Sequence, residues 1–215
     1  MFDRTALAAH LKNNTIPLGM ATTTGPLTLA EFHRLLAAHP DRHLELEADG
    51  SVSEEEAASV SLGHSFLQPR LAALLDAQRR GFVFTELNVE WGDRPEYRGD
   101  IVFYAAAREP ELRDPTSHTG WRFHARVPPD LEIEIRSPDQ SRRRLQNKCS
   151  WYVQHGLPVA WLIDLDDRTI TAFQADVAGV VVYDVDDERP MPMPEALRGL
   201  ELRCADIFRL LEPDQ

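Results

Sequence analysis

The sequence is short of cysteine, of basic charge and of long apolar runs, and each shortage closes off a class of protein. Cys149 and Cys204 are the only cysteines in 215 residues. Neither belongs to a C-x-x-C pair or sits near histidines at metal-ligand spacing, so a zinc site and a disulfide framework both lack a basis and reduced thiols are expected. No apolar stretch approaches the roughly 18 residues that cross a bilayer, and the opening MFDRTALAAHLKNN lacks the apolar core of a secretory signal. A cytoplasmic protein without a membrane partner is the expectation. There is no G-x-S-x-G elbow and no glycine-rich phosphate loop. His33 and His39, like His118 and His124, are six residues apart, which fits neither a helical metal pair nor H-E-x-x-H. Basic residues number 23 against 35 acidic ones, for a net charge of −12. Affinity for nucleic acid comes largely from neutralising phosphates, so any basic footprint must be local.

What is present fits one domain of ordinary size. Residues 1–27 are weakly patterned and read as an N-terminal extension to a folded domain over 28–211. Thr28 and Glu31 form a capping box, and Leu29, Phe32, Leu35 and Leu36 recur at helical spacing until Pro40. HLELE over 43–47 alternates as a half-buried strand does, and Asp49-Gly50 signals a hairpin into a partner near Val52, before an acidic loop over 54–56. A second helix is predicted over 61–80, with Phe66, Leu67, Leu71, Leu74 and Leu75 as its stripe, Pro69 inside it and Gly81 stopping it. Strands follow at FVFTELNVEW, YRGDIVFY and, after a long proline-rich loop, DLEIEIRS. A third helix over 141–155 ends at Gly156. VAWLID, RTITAF and VVVYDV then read as a meander, and CADIFRLL as a short helix. This order predicts an α+β or mixed α/β fold, a central sheet flanked by helices.

Three of these segments carry chemistry. In DLEIEI, Glu132 and Glu134 point to one face and Ile133 and Ile135 to the other. That is either an amphipathic strand with one wet face or a buried strand whose carboxylates need a cation, a basic side chain or water. Asp100 begins another apolar strand, with Gly99 beside it permitting a close approach. An aspartate so placed, ahead of an acidic strand, is one way to assemble an oxygen-only site for a hard cation. The helix after Ser137-Pro138 carries Lys148 and Tyr152, four apart and on one face. It also carries Arg142, Arg143 and Arg144, which with Arg136 form the one local basic stretch, either a solvated face or a phosphate footprint. Trp121, in the loop between the acidic strands, is a core aromatic or a base-stacking one.

These residues resemble the restriction endonuclease family often called Uma-two, a branch of the PD-(D/E)XK nuclease superfamily. The resemblance runs from about Leu27 to Leu211. It rests on TLAEFHRLL, Glu45 before Asp49-Gly50, His64 opening the second helix, RGD at 98–100 where the family usually has Arg-Pro-Asp, and PPDLEIEIRSP. Lys148 with Tyr152, Gly156 before AWLID, and GLELRCADIF complete it. It implies a restriction-endonuclease-like fold and a metal-dependent endonuclease acting on DNA, with a homodimer as the expected assembly. It further implies that Asp100 and Glu134 bind Mg²⁺ or Mn²⁺ with the carbonyl of Ile135, that Glu45 supports the site, and that Lys148 supplies the lysine which the superfamily carries two residues after the glutamate. That position here is Arg136, which cannot deprotonate at neutral pH and suits a phosphate better than a proton. Gly99 for proline and Glu132 for an apolar residue are further departures, the second of which leaves one metal or two open. A catalytically idle module of the same fold, holding nucleic acid or a protein, is the competing reading, and a hydrolase of RNA or another phosphodiester is a third. Metal binding that stabilises the fold separates the idle module from the enzyme.

Overall fold

Thr28 starts the first helix as its side chain dictates. Its hydroxyl accepts from Glu31 N while the Glu31 carboxylate accepts from Thr28 N at 2.9 Å, and α1 runs Leu29–Ala38. The computed structural model describes residues 26–39, 44–46, 50–54, 61–90, 96–122, 124–138 and 140–212. Residues 1–25 of the expected extension, Asp49 of the expected turn and residues 55–56 of the expected acidic loop lie outside them.

The chain divides into two compact units, Met1–Ala57 with Glu90–Tyr97, and Ala58–Val89 with Arg98–Gln215. In the first, β1 (Leu44–Leu46) pairs antiparallel with β2 (Val52–Glu54) in the register Leu46↔Val52. Gly50 takes φ +78°, where a Cβ would collide with Pro26. Phe32 packs with Leu44 and Leu46. All three residues of β1 are buried, Glu45 included, so the half-buried alternation expected there is absent. Glu54 closes β2 rather than opening a loop.

The second unit holds most of a six-stranded sheet in the order β3-β4-β5-β6-β7-β8, where β3 is Gly81–Glu90, β4 Glu96–Ala105, β5 Leu131–Arg136, β6 Val159–Asp164, β7 Thr169–Gln174 and β8 Val180–Asp184. Only β5 and β6 are parallel among the registers described; β4 with β5, β6 with β7 and β7 with β8 run antiparallel. A parallel pair needs a crossover, and α4 (Arg142–Gln154) provides it, capped by Ser141 and followed by Gly156 at φ +105°. Sequence reading and structure agree on this mixed sheet with flanking helices.

Helix α2 (Leu62–Asp76) buries His64, Leu67, Leu71 and Leu75, a stripe at i, i+3, i+7 and i+11 that packs on Ile101, Ile133 and Ile135. Phe66 is 40% exposed and lies off that stripe, contrary to expectation. Pro69 does not break the helix; it and Ser65, to whose carbonyl it cannot donate, are both on the exposed side. The helix stops at Asp76, earlier than predicted, and Gly81 opens β3 instead of ending α2. Its bare Cα is needed in the sheet, where a Cβ would come within 2.0 Å of the Tyr104 carbonyl oxygen. The long loop after β4 holds a 3-10 turn, Ala106–Arg108, and a short helix α3, Glu109–Leu112. Helix α5 (Cys204–Arg209) closes the core with Ile207 and Phe208. No helix among the described residues is long and apolar enough to cross a membrane.

Candidate active site

Strand β5 settles how its two carboxylates are housed. All of Leu131–Ile135 is buried, with Glu132 and Glu134 as closed off as the isoleucines between them, so the wet-face alternative does not hold. The acidic face is covered by α4. Tyr152 donates its hydroxyl to Glu134 Oε1 at 3.0 Å, and Lys148 Nζ lies 3.1 Å from the same oxygen. Lys148 also donates to the Arg98 carbonyl on β4 at 2.9 Å. One turn of helix thus brings an ammonium and a phenol onto one carboxylate, and both are buried. Charge paired in this way offsets a desolvation cost that an isolated carboxylate would not survive.

Asp100 reaches the same stretch from the neighbouring strand. The β4–β5 register pairs Ile101 with Ile133, and one residue beyond it the Asp100 Oδ2 accepts from Ile135 N at 2.6 Å. A side chain takes over there as acceptor for the β5 amide, which anchors the carboxylate beside Glu134-Ile135. Asp100 is the fifth residue of β4, not its first. Gly99 makes room for Glu132: a Cβ there would lie 2.4 Å from Glu132 Oε1. Cys149, between Lys148 and Ser150 on the buried side of α4, has its thiol pushed well up by burial, with Glu134 and Glu132 adding to the shift. It stays protonated and inert.

Around Asp100 the structure gathers His64, which the sequence singled out as the head of the second helix, with Gln68 and Glu86, which it did not. His64 Nε2 is 3.6 Å from Asp100 Oδ1, and its Nδ1 faces the Ser137 hydroxyl at 3.4 Å. Burial lowers the His64 pKa against the pull of Glu86 and so favours the neutral ring. Gln68, one turn on from His64, donates to the Asp100 carbonyl at 2.9 Å and to Glu86 Oε1 at 2.7 Å. Arg98 Nε meets Glu86 Oε2 at 2.9 Å. Single ligand atoms of His64, Glu86 and Asp100 lie within 4.8 Å of one another. The i, i+4 relation of His64 to Gln68 was readable. The left-handed backbone of Glu86, φ +55°, was not.

The arginines divide. Arg136 Nε lies 3.2 Å from Asp164 Oδ2, and its Nη1 donates to Asp166 at 3.0 Å. Arg142 Nε donates to Asp164 at 2.9 Å, and its Nη2 also meets Asp167. Hydrogen bonds from Arg142 hold the Asp167 carboxyl below its ordinary range. Two of the four arginines therefore tie β5 and α4 to the β6–β7 turn, where a phosphate would compete with carboxylates. Arg143 is exposed and Arg144 partly so. Trp121 is packed by aromatic edges of Phe82 and Phe84, with the Arg113 guanidinium 3.6 Å over its ring. Glu45 belongs to the first unit, where it is buried in β1.

Comparison with known proteins bears on the family and the fold. A family model described as Uma2, "Putative restriction endonuclease", matches residues 29–205. A crystal structure of a "putative nuclease belonging to DUF820" from Anabaena variabilis ATCC 29413 is similar at 27% identity and a TM-score of 0.73, over 87% of this chain and 100% of that one. No curated protein matches the chain. The family and the solved structure support a nuclease.

Proposed function

The chain belongs to the Uma2 family, and on that premise we propose that it is a divalent-metal-dependent endonuclease hydrolysing phosphodiester bonds in DNA. The observation that carries this reading is the meeting of three elements at Glu134-Ile135. Asp100 is held on the Ile135 amide at 2.6 Å, and Lys148 lies 3.1 Å from Glu134. Two carboxylates with a buried ammonium between strand and helix are each locally costly and become reasonable as one site.

The donor chemistry fits a hard cation. Asp100 and Glu134 would hold Mg²⁺ or Mn²⁺ with the Ile135 carbonyl, and the ion when bound supplies counter-charge to phosphate oxygens and a water of lowered pKa. Tyr152 and Lys148 fix the Glu134 carboxylate through one oxygen. Lys148, tethered at Glu134 and at the Arg98 carbonyl, orients the attacking water or the scissile phosphate. Arg136 occupies the superfamily's lysine position, and its engagement with Asp164 and Asp166 supports giving that task to Lys148. Glu45 enters from the family resemblance alone, as a supporting carboxylate. Arg143 and Arg144 are the arginines of the cluster best disposed to meet phosphates.

Cleavage of supercoiled plasmid and of single-stranded substrates, titrated with Mg²⁺ and Mn²⁺, tests the reading. Lys148→Ala, assayed at saturating metal, should lower the single-turnover rate by about 10²-fold or more, with DNA affinity near the parent's. Metal at about 100 times its Kd should raise folding stability by roughly 2.7 kcal/mol. A protein that neither cleaves nor gains stability with metal is the idle binding module instead.

A further inference from the structure

The family resemblance assigns metal binding to Asp100, Glu134 and a backbone carbonyl, all of them oxygen donors. The side chains on the other flank of Asp100 suggest a second set. Asp100 Oδ2 is taken by the Ile135 amide, while Oδ1 faces the imidazole of His64 across 3.6 Å. At 3.6 Å that gap is too long for a hydrogen bond. Two donors bound to one ion at about 2.1 Å are separated by about 3.0 Å at a right angle and about 4.2 Å when opposed. The His64, Glu86 and Asp100 ligand atoms, all within 4.8 Å of one another, are spaced close to that range and with little movement would close on an ion.

Three further observations point the same way. The His64 side chain is buried, on the inward stripe of α2, where its Nδ1 faces the Ser137 hydroxyl and its ring also meets the Ile135 backbone. A partner on one ring nitrogen is what fixes the other toward a metal. Glu86 is aimed from the middle of β3 by a φ of +55°, a conformation that side chains avoid unless the surroundings impose it. Gln68 and Arg98 hold one Glu86 oxygen each, and a carboxylate oxygen has a second lone-pair direction for coordination.

We propose that His64, Glu86 and Asp100 hold a divalent cation, and that their mixed imidazole and carboxylate donors favour Mn²⁺ over Mg²⁺. An imidazole suits first-row transition metals, whereas Mg²⁺ takes oxygen and gives up its waters reluctantly. The proposal rests on the preceding reading only in treating Asp100 as a metal ligand. It places a second ion beside the first, with Asp100 between them.

The test is Mn²⁺ bound to the full-length protein, followed by pulsed electron paramagnetic resonance and by calorimetric titration against Mg²⁺. The spectrum should carry nitrogen modulation from one imidazole. That modulation should vanish in His64→Gln and persist in Glu134→Gln. Glu86→Gln should weaken Mn²⁺ at least about tenfold and shrink its advantage over Mg²⁺. If His64→Gln does not fold, the parent spectrum and Glu86→Gln decide together. Absence of nitrogen modulation in the parent, its survival in a folded His64→Gln, or unchanged Mn²⁺ affinity in Glu86→Gln overturns the proposal. Cleavage measured on the same samples keeps the two readings apart. Cleavage without nitrogen coupling sinks this site alone, and coupling without cleavage sinks the nuclease alone.

Discussion

Gly99 and Glu132 each depart from the family pattern, and the structure joins them into one change. The space that a Cβ at residue 99 would fill, 2.4 Å from Glu132 Oε1 and 2.8 Å from Val102 Cγ1, is occupied by the carboxylate. Gly99→Ala should therefore cost roughly 1–3 kcal/mol through overpacking. The same substitution made in a Glu132→Ala background should cost less, by about 0.5 kcal/mol or more, because the obstructing carboxylate is gone. Only part is recovered, since Val102 remains. Denaturant unfolding of the four proteins of this cycle gives the answer, and strict additivity would show that the two positions do not share the space. Both departures were visible in the sequence one at a time. Their pairing was not, because residues 33 positions apart are joined only by the β4–β5 register, which no local pattern encodes.

At the level of elements, the ends of the helices were legible where a side chain makes the cap. Thr28 with Glu31, and Ser141, are local signals, and α1 and α4 begin where they say. The C-terminal end of α2 had no such marker. Gly81 looked like a stop but serves the sheet, and the residue in left-handed conformation after the helix is Arg79, at φ +53°. Glycine adopts that conformation without the clash a Cβ brings, so Arg79→Gly should stabilise the fold by about 1 kcal/mol. A shift of the thermal midpoint downward would mean that the exposed Arg79 side chain makes a compensating contact. Strand β5 was harder for a different reason. Alternating acid and isoleucine reads as half-wet, and only the helix that follows, with Lys148 and Tyr152 one turn apart, makes a dry strand of it. Period alone cannot tell a solvated acidic face from one covered by a basic helix.

For the molecule as a whole, the question is how a chain of net charge −12 would hold DNA. The sequence offered a four-arginine footprint, but Arg136 and Arg142 are committed to Asp164, Asp166 and Asp167. Each phosphate neutralised contributes about 0.9 to the slope of log Kobs against log salt for duplex DNA. If Arg143 meets a phosphate, Arg143→Ala should flatten that slope by about 0.9 and weaken all sequences alike. Arg136→Ala should behave differently. Asp164 is buried and would keep Arg142 as a partner, so the loss should appear as roughly 1–3 kcal/mol of folding stability, with the salt slope little changed. Fluorescence anisotropy of a labelled duplex across a salt series, read beside urea unfolding of the same two variants, separates the roles. A flatter slope in Arg136→Ala with stability intact would mean that DNA displaces Asp164 and Asp166 from the guanidinium. The ion pairs at the β6–β7 turn would then be a resting arrangement that substrate opens, rather than a fixed part of the fold.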